Sequence, residues 1–357
     1  MKLQVTVNKL NRRKSPVTDF ADKSNVVEVV NNGFTFESIS QIENNLGVWH
    51  QGHDGYWAWE KALSGVINTQ WWYKKLRIQD LQEFTNSLTN QSSVVVAVLD
   101  TGITNDLSID TFKVAGRQNY TDNTTNVTDT RSGHGTLCAA LIGASTNLFG
   151  SINPNAQIFI AKIFTDSVAT NDEIIARAID ALCDPNNNFK IDILSISGGL
   201  DGIDDTSPMI RAIENAHQRS IIVSAAIGNK LQTVSGYYPA LHPHAFSIGA
   251  LDQNFEFSAS LNPATEKIDY LLPGENIHSL NFLASANEFD GTSHACAIMS
   301  GILSLLVTIK KAKGQSWATD DLRLFLNNSC DKITSPLNNH SYNRINPDLL
   351  IENIKKI

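Results

Sequence analysis

The sequence predicts an α/β fold, a mostly parallel sheet flanked by helices, preceded by a small all-β unit. From Val94 onward, β-branched runs at residues 94–99, 157–163, 191–196, 221–225 and 245–249 alternate with helix-period segments. Such alternation is how parallel strands joined by covering helices read in one dimension. Residues 1–65 read differently. They hold short alternating stretches at 4–7, 26–30 and 35–39, broken by Pro16, Asn31-Asn32-Gly33 and Gly47, a pattern of strands and turns without helix.

In chain order, 1–65 is the β unit, 66–92 a connector docked through Trp71, Trp72, Leu81 and Phe84, and 93–357 the large α/β domain. The first strand of that domain ends on Asp100. A helix starts at His134, with Leu137, Ala140 and Leu141 facing inward. Thr170 and Glu173 form a capping-box pair, and Ile174, Ile175, Ala178, Ile179 and Leu182 follow as one apolar stripe. Ser207-Pro208 opens another helix, cap residue then proline, with Ile210, Ile213, Ala216 and His217 expected on the sheet. Ser293 is expected to cap a long helix over 295–309.

Bulk composition narrows the function. With 357 residues and 42% hydrophobic side chains, the chain can bury a large core and a smaller one. Lys and Arg number 28 against 36 Asp and Glu, without a dense basic run, so the electrostatic footprint of a nucleic-acid binder is missing. The opening MKLQVTVNKLNRRKS lacks the apolar core of an export signal, and no stretch approaches the roughly 20 apolar residues of a membrane span. Cys138, Cys183, Cys296 and Cys330 have no paired spacing, which predicts reduced thiols. These features predict a cytoplasmic protein with no nucleic-acid partner, no membrane span and no cofactor.

Three segments carry chemistry. VVVAVLDTGI contains Asp100, SGHGTLCAALIG contains His134, and DGTSHACAIMSG contains Ser293. A serine hydroxyl is a weak nucleophile at neutral pH and needs a base, here His134; Asp100 would hold the imidazole tautomer and stabilise its cation. Asn229, closing SAAIGN after an apolar run, could supply a side-chain amide to a developing oxyanion beside the Ser293 backbone N–H. Each residue alone also has a plain reading, since DTG is a common turn, GHG a common loop, GTS a common helix start and GN a left-handed turn. Four coincidences in one order are harder to dismiss.

Acid, then imidazole, then a distant hydroxyl is the order of subtilisin. VLDTGI, GHGT, GTSHA and SAAIGN also match that family's local contexts, as do IDILSISGG (191–199), YPALHPHAFSIGALD (238–252) and RINPDLL (344–350). The chain from about Val94 to Ile357 therefore resembles the subtilisin-like serine peptidases, the subtilases of peptidase family S8. The resemblance implies a subtilisin-like, doubly wound fold and a serine endopeptidase that cuts extended polypeptides through an acyl-enzyme on Ser293. The alternative is a catalytically weak or inactive scaffold of the same fold. Substrate would add as a strand beside Ser197-Gly198-Gly199. VTVNKLNRRKSP, NVVEVVNNGFTF and LGVWHQGHDGYWAW resemble bacterial SH3-like (SH3b) domains, with a propeptide as the competing reading, and a ligand or regulatory contact through residues 1–65 is expected.

The sequence also departs from the family. His294-Ala295-Cys296-Ala297 stands where MASP is usual, and Leu137-Cys138-Ala139-Ala140 where HGTHVAG would continue. Cys296 is expected to be a small core residue, and His242, His244 and His294 surface or packing residues. The loop 144–154 has no acidic side chain, so the family's calcium site is not expected and no metal is assigned. Lys230 after Asn229 is expected to favour acidic side chains before the cut bond.

Overall fold

A computed structural model describes residues 2–5, 9–16, 24–31, 35–44, 47–52, 54, 56–59, 63–65, 70–104, 111–145, 150–167, 169–229, 237–280 and 286–357. The chain divides into two compact units, residues 1–70 with 146–150 and residues 71–145 with 151–357.

The first unit is an antiparallel sheet of seven strands: β1 (Lys2–Val5), β2 (Lys9–Arg13), β3 (Val26–Asn31), β4 (Thr35–Asn44), β5 (Gly47–Gly52), β6 (Trp57–Trp59) and β7 (Leu63–Gly65), in the order β3-β2-β6-β5-β4-β1-β7. No helix occurs among its described residues, as expected for an all-β unit. Trp49 and Ala58 are buried, and the buried Arg12 guanidinium donates to Asp54 at 2.6 Å.

The second unit opens with two short helices, α1 (Trp71–Lys75) and α2 (Ile78–Asn86). Trp72 and Leu81 are buried, and Trp71 Nε1 donates to the carbonyls of Glu275 (3.1 Å) and Asn276 (3.2 Å). There follow β8 (Val95–Asp100), β9 (Lys113–Asn119), α3 (His134–Gly143), β10 (Gln157–Lys162), α4 (Asp172–Cys183), β11 (Ile193–Ile196), α5 (Pro208–Gln218), β12 (Ile222–Ala226), β13 (Ala245–Leu251), β14 (Tyr270–Pro273), β15 (Ile277–Leu280), β16 (Ala286–Phe289), α6 (Thr292–Ala312), α7 (Thr319–Asn327), β17 (Cys330–Thr334), β18 (Ser341–Ile345) and α8 (Pro347–Ile354). Nine strands form one sheet in the order β17-β18-β14-β13-β12-β11-β8-β10-β9, parallel except at the β17–β18 edge. β15 and β16 pair as a separate antiparallel ribbon.

The inner strands β8 and β10–β14 are buried on both faces, which is why they read as continuous apolar runs. Ala97 and Leu99 of β8, with Leu194, Ile196 and Val223 of its neighbours, share a cluster with Ile175, Ile179 and Leu182 of α4 and Met209, Ile213 and Ala216 of α5. The alternate residues Val96 and Val98, equally buried, face the other way, where α3 and α6 pack together against the sheet.

Four local expectations need correction. The cap of α4 is Asn171, whose side chain accepts from Ile174 N at 2.8 Å, so the helix begins one residue later than the Thr170 box implied. Asn is as good a cap as Thr. In α5 the Ser207 cap and Pro208 stand as expected, but the buried face runs through Met209, Ala212, Ile213 and Ala216, leaving Ile210 half-exposed. Ser293 does not cap α6: the helix starts at Thr292 after Gly291, placing Ser293 inside the first turn. Finally, α6, 21 residues long with a stretch of mean hydropathy 1.6, is long and apolar enough to cross a bilayer, but 94% of that stretch is buried in the unit. It is a core helix.

Candidate active site

The sheet order places a topological switch at β8. From β8 the chain builds outward through β9 and β10, then crosses back to lay β11 on the other side. Loops leaving β8 and β11 therefore diverge at their carboxyl ends and open a crevice, the usual location of a site in such sheets. Asp100 ends β8, Ser197 follows β11, and Gly228 and Asn229 follow β12. A cleft of about 310 Å³ is lined by these residues together with His134, Phe164, Tyr237 and Ser293.

Asp100 is buried, and its Oδ1 accepts from Thr101 N and from His134 Nδ1, each at 2.7 Å. His134 is the first residue of α3, its side chain 33% exposed. That approach depends on missing side chains: a Cβ at Gly135 would fall on the Gly102 carbonyl oxygen, and Gly102 itself has φ +119°. Burial works against both charges of the pair. The charge and hydrogen bond of each partner outweigh it, holding the Asp100 carboxyl below its ordinary value and the His134 imidazolium well above 6.5.

Ser293, in the first turn of α6, reaches the same cleft. Its hydroxyl donates to the Ser197 carbonyl at 2.8 Å, and the Ser197 hydroxyl returns a bond to the Ser293 carbonyl at 3.1 Å. The expected contact between Ser293 and the imidazole is thus not made in this conformation. Unliganded catalytic hydrogen bonds are commonly unmade until substrate arrives. Asn229 Oδ1 accepts from Thr292 N (3.1 Å) and Thr292 Oγ1 (3.3 Å), which fixes the amide beside the start of α6. Ser197, Gly198 and Gly199 line the cleft. A Cβ at Gly199 would lie 2.5 Å from the Tyr238 carbonyl and 2.9 Å from the Tyr237 ring, so that glycine also serves packing behind the strand. Lys230 lies outside the described residues.

Two supporting residues escaped the sequence reading. Asp129, nearly fully buried, accepts from Thr101 Oγ1 (2.5 Å) and Thr130 N (2.7 Å) on one oxygen and from Thr136 N (2.8 Å) and Thr136 Oγ1 (2.5 Å) on the other. Thr101 Oγ1 in turn accepts from Gly135 N at 2.9 Å. This network clamps the end of β8 to the start of α3 and so sets the Asp100–His134 distance. Lys162, paired with Asp100 across β10 and β8, donates to the Thr101 and Thr128 carbonyls at 2.7 and 2.9 Å. The available signals were an acid five residues before His134 and a lysine closing the apolar IFIAK run. Replacing Asp129 with Ala should cost at least about 3 kcal/mol, because four donors lose a charged acceptor, and should lower kcat more than it raises KM. Urea midpoints and steady-state kinetics check both.

Cys296 is fully buried against Ser224 and the Ile196 carbonyl, as a core residue should be. His242 is buried, and half-exposed His244 stacks on His217 at 3.7 Å. His294 is buried beside Phe289, and neither ring nitrogen has a hydrogen-bond partner among the described residues. Burial, with a smaller contribution from the His134 charge, pushes its pKa down to about 3. As pH falls below the ordinary 6.5, the unfolded chain takes up a proton that the folded chain refuses, so this group drains stability across that window. His294→Met should therefore stabilise the fold by about 1–3 kcal/mol, more near pH 5 than near pH 8. Denaturant midpoints unchanged by the substitution at both pH values would contradict the assignment.

β8, α3 and α6 thus deliver a carboxylate, an imidazole and a hydroxyl to one crevice of a parallel sheet. Comparison with known proteins gives the family. The Subtilase family model (Peptidase S8) matches residues 91–344, and the chain belongs to that family. An alkaline protease of Alkalihalobacillus alcalophilus is 29% identical over 261 residues, 72% of this chain and 64% of that protein. The major intracellular serine protease of Bacillus subtilis is 31% identical over 235 residues, 62% of this chain and 71% of that one. The chain thus spans slightly less than two thirds of the alkaline protease's length. A crystal structure described as a cold adapted subtilisin-like serine proteinase superposes with a TM-score of 0.61 at 20% identity, covering 71% of this chain and 88% of that one, and supports the fold.

Proposed function

We propose that the chain is a serine endopeptidase acting on extended polypeptides. The observation that carries this is the 2.7 Å Asp100–His134 pair placed in one cleft with Ser293 and Asn229. A substrate strand lies along Ser197-Gly198-Gly199, using main-chain hydrogen bonds. Ser293 then turns from the Ser197 carbonyl to His134 Nε2, gives up its proton there and attacks the scissile carbonyl. The oxyanion accepts from the Ser293 backbone N–H and the Asn229 side-chain amide, helped by the positive end of α6. His134 passes its proton to the leaving amine, and water deacylates Ser293 by the same route in reverse.

Finer assignments belong to the same proposal. Lys230 favours an acidic residue before the cut bond, and a peptide library on Lys230→Glu should show that preference reversed; an unchanged profile removes the idea. Residues 1–65 act as an SH3-like module that binds a ligand or regulates the enzyme. Four unpaired thiols support a reducing compartment.

The engagement of Ser293 with Ser197 favours a second reading, a weakly active scaffold of the same fold. A fluorophosphonate probe decides between them. Labelling of wild type and not of Ser293→Ala establishes an activated serine, whereas equal, background labelling of both establishes the scaffold.

A further inference from the structure

The cleft has little depth on the side where a substrate side chain has to go. β11 and β12 are parallel neighbours, with Ile196 beside Ala225. β11 runs on into Gly198-Gly199 and β12 into Ala226 and Gly228, and these four residues line the cleft together with Asn229 and Ser293. In the mechanism above, the attacked carbonyl lies between the Ser293 backbone N–H and the Asn229 amide. The residue that carries this carbonyl has its Cα one bond away, so its side chain enters the gap between the two glycine-bearing loops.

Tyr237 lines that gap with an aromatic ring. It faces the cleft although only 5% of the residue is exposed. The phenol end of the ring lies against the Gly199 backbone, since a Cβ built on that glycine would fall 2.9 Å from Tyr237 Cε1 and 3.0 Å from Cζ. The backbone beneath the ring is held on both sides. Tyr238 exchanges two main-chain hydrogen bonds with Leu200, each at 2.9 Å, and the Tyr237 carbonyl accepts from Leu241 N at 3.2 Å.

We propose that Tyr237 is the floor of the slot for the residue before the cut bond and restricts cleavage to bonds that follow a small side chain, on the scale of Gly, Ala or Ser. This rests on the peptidase reading and adds the substrate class to it. The whole cleft holds about 310 Å³, the lower end of what a pocket uses to enclose one small ligand, and here the scissile peptide and its neighbours share it. A bulky side chain enters only by displacing a buried ring whose backbone is pinned. Each methylene too many in an apolar pocket costs about 10–200-fold in discrimination. Where Lys230 draws an acid to this position, Asp is taken in preference to the longer Glu.

The test reads the slot with and without chemistry. Among peptides that differ only in having Ala, Leu or Phe before the cut bond, wild type should show kcat/KM at least about thirtyfold higher for Ala than for Phe. Tyr237→Ala should lower that ratio at least about tenfold, whereas Tyr237→Phe, which keeps the ring and loses the hydroxyl, should leave it unchanged. Tyr237→Leu gives the same reading should the alanine variant fail to fold. In parallel, fluorescent peptides ending in a free carboxylate on Ala or Phe are titrated into Ser293→Ala protein. The Ala-ended peptide should bind at least about tenfold more tightly, and adding Tyr237→Ala should erase the difference. Wild type that cuts after Phe or Leu as well as after Ala, or a ratio unmoved by shortening Tyr237, overturns the proposal. Tighter binding of the Ala-ended peptide in a protein whose wild type hydrolyses nothing upholds the slot and removes the peptidase reading. Hydrolysis that favours Phe does the reverse, and peptides that are neither cut nor bound overturn both.

Discussion

Ser293→Ala is expected to lower kcat by on the order of 10⁶-fold, because a triad without its nucleophile retains little beyond binding and oxyanion stabilisation. The fold should barely notice. The Ser293 hydroxyl makes one hydrogen bond, to the Ser197 carbonyl, and its loss should cost only about 1 kcal/mol. Steady-state hydrolysis of a fluorogenic peptide together with a urea titration reads both quantities. Residual turnover within tenfold of wild type would place the nucleophile elsewhere. Cys296, three residues on, cannot replace it, being fully buried with burial pushing its thiol pKa up to about 11.

The second large effect is expected from Asp100→Asn, about 10⁴-fold in kcat. An amide occupies the carboxylate's place without its charge, so the imidazolium formed during attack loses its counter-ion and the tautomer is no longer enforced. A change in pH dependence should accompany the loss. Opposed by burial, the Asp100 charge nevertheless keeps the His134 pKa well above 6.5, and hydrolysis needs the neutral base. Wild-type kcat/KM should therefore fall as pH drops through a value above 6.5, and in Asp100→Asn the acid limb should move to lower pH. An acid limb in the same position in both proteins would show that some other group controls it.

The fold and the meeting of Asp100, His134 and Ser293 in one cleft were legible in the sequence because their signals are local and redundant. Doubly buried parallel strands leave unbroken apolar runs, and Asp100, His134 and Ser293 each sit in a short, distinctive context. The supporting shell was harder to read. Asp129 acts through Thr101 and Thr136, residues far apart in sequence that meet only when β8 abuts α3. The same holds for Cys138, whose nearness to Asp100 exists only in three dimensions. The cap was misplaced by one residue at α4 and by two at α6 because Thr170 and Asn171, or Gly291 and Ser293, are each acceptable N-caps, and tertiary packing made the choice. The Ser293 rotamer left no trace in the sequence at all.

Helix α6 carries the proposed nucleophile and is also the longest helix among the described residues, most of it apolar. A molecule that opens far enough to release it exposes a long, mostly apolar helix to its surroundings. Exposed apolar surface of this kind makes a species prone to aggregate. Loss of this protein on heating should then be a one-way process with a half-life, set by the barrier to opening, and calorimetric midpoints should climb with scan rate.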